Sequence, residues 1–145
     1  MPDLSLHFQC PSIDVSLPNK KHFKKWASAT LRVNTEVTIR IVDEAEGRAL
    51  NLAYRGRDYA TNVLTFTLTE TPHLIGDIVI CAPVVASEAL TQNKALIAHY
   101  AHLTVHGVLH LHGYDHENEY QAALMEGLEI SILHKLGYAN PYIFI

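Results

Sequence analysis

The chain has little of what small secreted proteins depend on. Only two cysteines occur in 145 residues, Cys10 and Cys81, far apart and in apolar or strand-like surroundings. They encode no disulfide framework, so a reducing cytoplasm is the expected compartment. No apolar run follows a basic segment near the N-terminus, which argues against a secretory signal. Internal repeats, low-complexity tracts and linker-like stretches are missing too, and the length is enough to bury a core, so one domain over 1–145 is expected. Residues 95–114 contain no Asp, Glu, Lys or Arg. That is long enough to raise the question of a membrane span, but five histidines and two glycines inside it make a poor one, and a buried central helix is the better reading.

Basic residues are scarce after Arg57, where only Lys94 and Lys135 stand against nine acids. Nine of the eleven Lys and Arg residues lie between Lys20 and Arg57, alongside four acids. The net charge of −4 therefore argues against wholesale nucleic-acid binding while leaving a basic first third. Lys20, Lys21, Lys24 and Lys25 concentrate that charge; a solvated helix face and a phosphate-contacting patch fit them equally well.

Hydrophobic periodicity supplies the elements. Leu4, Leu6 and Phe8 alternate with polar residues as in a half-buried strand that Pro11 ends. Ser16 and Pro18 suit the start of an amphipathic helix that buries Phe23, Trp26, Ala27, Thr30 and Leu31 and turns its lysines outward. Thr35–Val42 alternates as a second strand. Asp43 and Glu46 resemble a capping box for a short helix through Leu50 and Tyr54. A turn is expected over Arg55-Gly56-Arg57-Asp58, strands over Thr61–Thr67 and Ile75–Cys81 joined by a loop with Pro72 and His73, and a short helix from Pro83 through Leu90. Two long helices follow, Lys94–His112 and Asn118–Leu136, the second burying Leu124, Leu128 and Ile132 or Leu133 until Gly137 stops it. The order predicts an α+β fold, a mixed sheet of about four strands packed with five or six helices.

The chemistry concentrates in His106-Gly107-Val108-Leu109-His110-Leu111-His112-Gly113-Tyr114-Asp115-His116. On a helix His106 and His110 stand one turn apart on one face, so their imidazoles can converge on one ion. Gly113 is suited to end the helix in the left-handed conformation and let the chain return with His116 as a third ligand. Three histidines leave one coordination position open, which distinguishes a catalytic zinc site from a closed structural one. His-x-x-x-His alone arises often by chance; the glycine stop and third histidine are what raise it above coincidence. His112 lies on the opposite side of the helix and is read as a non-ligand. Asp115 fits two roles, a partner that orients a histidine or a turn residue. His99 and His102 extend the stripe N-terminally, as buried hydrogen-bonded residues more readily than as groove-lining ones. In a zinc peptidase built on His-Glu-x-x-His the residue after the first histidine is the base that activates water; here it is Gly107, which lowers the odds for proteolysis.

This run, together with Asn51-Leu52-Ala53-Tyr54-Arg55-Gly56-Arg57-Asp58, Thr61-Asn62-Val63-Leu64-Thr65-Phe66 and Ile75-Gly76-Asp77-Ile78, resembles the YbeY family of metal-dependent endoribonucleases. The resemblance runs from about Val37 to Tyr142. Thr65 and Thr67 stand where Ser and Pro are common in the family, a departure that bears on the chain after strand three. The resemblance implies a zincin-like metal helix and a zinc ion held by His106, His110 and His116. It also implies an active-site arginine at Arg55, single-strand-specific cleavage in ribosomal RNA maturation including the 3′ end of small-subunit RNA, a role in ribosome quality control, and the small ribosomal subunit as partner. From the turn sequence alone, Arg55 reads better as a surface residue paired with Asp58; the resemblance reverses that. Two rivals stay open: a metal-dependent hydrolase of another bond such as an amide, and a non-catalytic assembly factor whose zinc only ties the last helices to the sheet. Three imidazoles also suit nickel, cobalt and copper.

Overall fold

Strict alternation in Thr35–Val42 puts Val37, Ile39 and Ile41 on one face of a strand and Glu36, Thr38 and Arg40 on the other, and this strand lies inside the sheet. The computed structural model describes residues 2–11, 17–70 and 73–143. In chain order the elements are β1 (Leu4–Gln9), α1 (Lys20–Ser28), β2 (Thr35–Val42), α2 (Glu44–Arg55), β3 (Val63–Thr69), β4 (Leu74–Cys81), α3 (Ala82–Thr91), α4 (Leu96–Leu111) and α5 (Glu119–Lys135). The sheet order is β1-β2-β4-β3, with β1, β2 and β4 parallel and β3 antiparallel at the edge. This is the expected α+β arrangement, with four strands and five helices among the described residues.

The larger core lies on one face of the sheet, where Val37, Ile39, Ile41, Ile78 and Ile80 meet Phe23 and Trp26 of α1 and the buried side of α4. On the other face Val42, Leu64, Val79 and Cys81 pack with Leu50 of α2. Both cysteines are free thiols, Cys10 exposed and Cys81 buried. Among the described residues no helix is long and apolar enough to cross a membrane. The apolar run 95–114 instead becomes α4, whose buried positions outnumber its partly exposed ones.

Helix α4 approaches β4 closely at two reciprocal glycines. A methyl group at Gly107 would lie 3.1 Å from Cδ1 of Ile78, and one at Gly76 would lie 2.6 Å from Cδ2 of Leu111 and 2.9 Å from the Phe66 carbonyl oxygen. Each glycine makes room for an aliphatic side chain of the other element. Residue 107 therefore faces the core, and a glutamate there would be driven into Ile78.

Several local expectations change. Ser16 and Pro72 lie outside the described residues; the cap of α1 is Asn19, whose Oδ1 accepts from the His22 amide while His22 Nδ1 accepts from the Asn19 amide. Only half of the box expected at Asp43 and Glu46 forms. Asp43 caps the Glu46 amide at 2.8 Å, but the Glu46 carboxylate pairs with Arg40, an ionic partner stronger than a backbone amide. Arg55 is the last residue of α2 rather than part of a turn, because Gly56, at φ 69°, is where the left-handed cap falls. Thr65 and Thr67 sit within β3, and the irregularity comes between Thr67 and Thr69. Leu124 is 47% exposed, and α5 buries Met125, Glu129, Ile132 and Leu133. Ile132 and Leu133 are buried as expected and Leu128 packs partly buried against the core, so only Leu124 departs, its place on the stripe taken by Met125, with Glu129 added.

Replacing Gly76 by Ala should push the new methyl into both Leu111 and a backbone oxygen that cannot swing aside. Overpacking of this kind costs about 1–3 kcal/mol. A thermal melt should register a drop of several degrees, and an unchanged melt would mean that α4 is not seated this tightly.

Candidate metal centre

Helix α4 is apolar on the sides that meet the sheet and the neighbouring helices, and its remaining stripe carries His99, His102, His106 and His110. The helix ends where glycine permits: Gly113 takes φ 94°, its amide donates to the His110 carbonyl, and the Tyr114 amide donates to the Leu109 carbonyl. These two bonds satisfy carbonyls that the helix end would otherwise leave open, and they reverse the chain so that His116 returns over the last turn. Tyr114 packs against the main core and anchors the return.

The three rings meet. Centroids of His106 and His110 are 4.6 Å apart, those of His110 and His116 are 5.1 Å apart, and those of His106 and His116 are 5.7 Å apart. One nitrogen from each lies within 4.8 Å of the others, a spacing that lets all three reach a single ion. The donor chemistry fits. Burial, with His106 and His116 close by, lowers the His110 pKa and favours the neutral, ligating imidazole. His112 stays outside the cluster: Nδ1 donates to the Val108 carbonyl of its own helix and Nε2 accepts the Arg32 amide of the α1–β2 connection, so both ring nitrogens are used.

A cavity of about 590 Å³ opens over the cluster, walled by β3 from Val63 to Phe66, by the 115–117 turn, and by Tyr54 and Arg55 from the end of α2. Asp58 does not hold Arg55. It takes a two-pronged pair from Arg48 at 2.6 and 3.0 Å, and among the described residues Arg55 makes no ion pair. The loop that forms the rest of the wall is tied by Asn51, buried, whose Nδ2 donates to the Tyr59 carbonyl, and by Asn62, which donates to Glu88.

Asp115 proves to be a turn residue in its hydrogen bonding: Oδ1 accepts the His116 amide at 2.7 Å, and that bond is the main cause of its lowered pKa. The carboxylate against the ligand stripe is one that sequence reasoning missed. Glu129 of α5 is 1% exposed and accepts from His102 Nε2 at 2.6 Å, Tyr142 Oη at 2.8 Å and His106 Nδ1 at 3.2 Å. Burial alone would raise its pKa, but the bonds from His102 and His106 outweigh that and hold it at about 2. His99 is likewise buried and hydrogen-bonded, to Glu88 at 2.9 Å. The only sequence signal for Glu129 is its four-residue spacing from Met125 on the buried stripe. The four lysines do not join the site: all are exposed on α1, which packs by β1 at one edge of the sheet, whereas the cavity lies against β3 at the other.

Fold and cluster together define a class, that of α+β proteins in which three histidines can hold one ion beside an open cavity. Comparison with known proteins is more particular. The family model for Endoribonuclease YbeY matches residues 10–137. A protein of Methylobacillus flagellatus described as Endoribonuclease YbeY is 63% identical over 142 residues, covering 98% of this chain and 95% of its own. One of the same description from Nitrosomonas europaea is 50% identical over 141 residues, covering 97% and 86%. A Thermotoga maritima protein solved in solution shares the fold, with a TM-score of 0.61 at 22% identity over 97% of this chain and 99% of that one. The chain belongs to the YbeY endoribonuclease family, and thus to the nucleases among the hydrolases.

Proposed function

We propose that this chain is a zinc-dependent, single-strand-specific endoribonuclease of the cytoplasm, acting in ribosomal RNA processing, including maturation of the small-subunit RNA 3′ end, and in ribosome quality control. One observation carries the reading: a single cavity gathers His106, His110 and His116 with Arg55, a permanently charged group from a different helix. When bound, zinc would supply a Lewis acid for a phosphoryl oxygen and make a water more acidic than bulk. The three imidazoles would hold that ion. Arg55 offers a planar fork of donors for the charge that develops on phosphate in the transition state. Tyr54, 68% exposed and edge-packed on Phe66 at 5.1 Å, presents a ring beside Arg55 on which an unpaired base can stack, which favours a single strand over a duplex.

Hydrolysis of an amide is a weaker reading, since residue 107 is buried against Ile78 and can supply no base. A purely structural metal is weaker as well, because a site that only ties helices together has no use for an open cavity with an unpaired arginine. The small ribosomal subunit is the expected partner, with Lys20, Lys21, Lys24 and Lys25 contacting RNA away from the cleaved phosphate.

The ligand set is tested by elemental analysis: wild type should hold one zinc per chain, and His106→Ala, His110→Ala and His116→Ala should each lose it. Each ligand must be neutral, so protons compete with the ion, and zinc affinity should decline as the pH drops below ~6.5. Unchanged zinc in all three variants would overturn the assignment.

Arg55→Lys keeps the charge but loses the fork. It should retain zinc and its melting temperature while cleaving single-stranded RNA far more slowly in single turnovers. Arg55→Ala should lose more, on the order of 100-fold or beyond. Cleavage within about twofold of wild type would remove Arg55 from the chemistry.

Changing Lys20, Lys21, Lys24 and Lys25 together to Gln should weaken RNA binding and flatten its dependence on salt, measured by titration at several ionic strengths. An unaltered salt slope would leave these lysines as a solvated face.

A further inference from the structure

Three elements far apart in sequence converge on one carboxylate. Glu129 comes from the middle of α5, His102 and His106 from consecutive turns of α4, and Tyr142 from the segment after α5. The two oxygens divide the work. Oε1 accepts from His102 at 2.6 Å and from Tyr142 at 2.8 Å, and Oε2 faces His106 Nδ1 at 3.2 Å. An ionised carboxylate only accepts hydrogen bonds, so each ring nitrogen that faces it carries its proton there. That puts the proton of a neutral His106 on Nδ1 and leaves the Nε2 lone pair free.

We propose that Glu129, clamped by His102 and Tyr142, is the positioning residue of the metal centre, fixing the tautomer and ring orientation of His106 so that Nε2 is the atom offered to the ion. The proposal rests on the reading of His106, His110 and His116 as metal ligands. A histidine ligand without such a partner rotates about its side-chain bonds and divides its proton between two nitrogens; a buried carboxylate removes both freedoms. Packing does not explain the residue. Met125 and Ile132 on the same stripe bury apolar side chains, and a carboxylate that is 1% exposed is worse than either at filling space. His102 extends the arrangement: its 12% exposed ring spends Nε2 on Glu129 and thereby supports the ligand one turn further along. Affinity for the ion thus depends on Tyr142, twenty-six residues beyond the last ligand.

Zinc affinity is measured by competition with a chromophoric chelator for wild type, Glu129→Ala, Glu129→Gln and Tyr142→Phe, with melting of each metal-free protein recorded beside it. Nitrogen-15 histidine spectra of the zinc-loaded wild type report which ring nitrogen is coordinated. Loss of such a partner costs 10–100-fold in metal affinity, the range expected for Glu129→Ala. Glu129→Gln should fall between, since its amide oxygen can still accept from His106, and Tyr142→Phe should lose less. Zinc affinity within about twofold of wild type in both Glu129→Gln and Tyr142→Phe overturns the proposal even if Glu129→Ala does not fold. Coordination of His106 through Nδ1 overturns it directly. A wild type that binds no zinc removes the ligand reading itself, whereas tight wild-type binding unmoved by these variants removes only the role of Glu129.

Discussion

The position of α4 on the sheet depends on a reciprocal contact between two glycines and two aliphatic side chains. Gly107 admits Ile78 and Gly76 admits Leu111, so helix and strand approach more closely than any pair of side chains would allow. The contact uses residues 107 and 111 on one side and 76 and 78 on the other, spacings of one helical turn and one strand repeat. With this face committed to the core, the histidine stripe is turned away from the sheet centre, and its last two members, His106 and His110, border the cavity walled by the edge strand β3. The same glycine that denies the chain a peptidase-like base is what seats α4.

Around that contact the molecule buries polar groups in pairs. His99 meets Glu88, which also receives Asn62, so the wall of the cavity is tied to α3 and α4 through one carboxylate. Glu129 does the same between α4, α5 and the C-terminal segment. A buried ion is tolerable only when its hydrogen-bonding capacity is filled. Glu129, 1% exposed, meets that condition with three donors, whereas Glu88 is one third exposed and keeps access to water. On the surface the pairing has another consequence: Arg48 occupies Asp58, and Arg55, seven residues on, is left to face the cavity.

The charge asymmetry of the chain takes a spatial form that composition does not suggest. The basic first third is split between the two edges of the sheet, the lysines on α1 beside β1 and Arg55 at the end of α2 beside β3. Any polyanion that touches both must extend across the molecule, a geometry suited to a long RNA more than to a small phosphorylated ligand.

The sequence by itself determined the elements, the mixed α+β architecture and the convergence of His106, His110 and His116. The reason is local: alternation, the i to i+4 spacing on a helix and a glycine that can turn left-handed act within a few residues, and the chain obeyed each of them. Tertiary structure decided what depends on partners distant along the chain. It selected Arg48 over Arg55 for Asp58, tied the Asp115 carboxylate to the His116 amide, buried Met125 rather than Leu124 on α5, and brought Glu129 to His106 and Tyr142 to His102, each more than twenty residues away. Glu129 was hidden for a definite physical reason. Burial of a carboxylate is unfavourable until its donors are in place, and no local pattern along α5 records that His102, His106 and Tyr142 would be there.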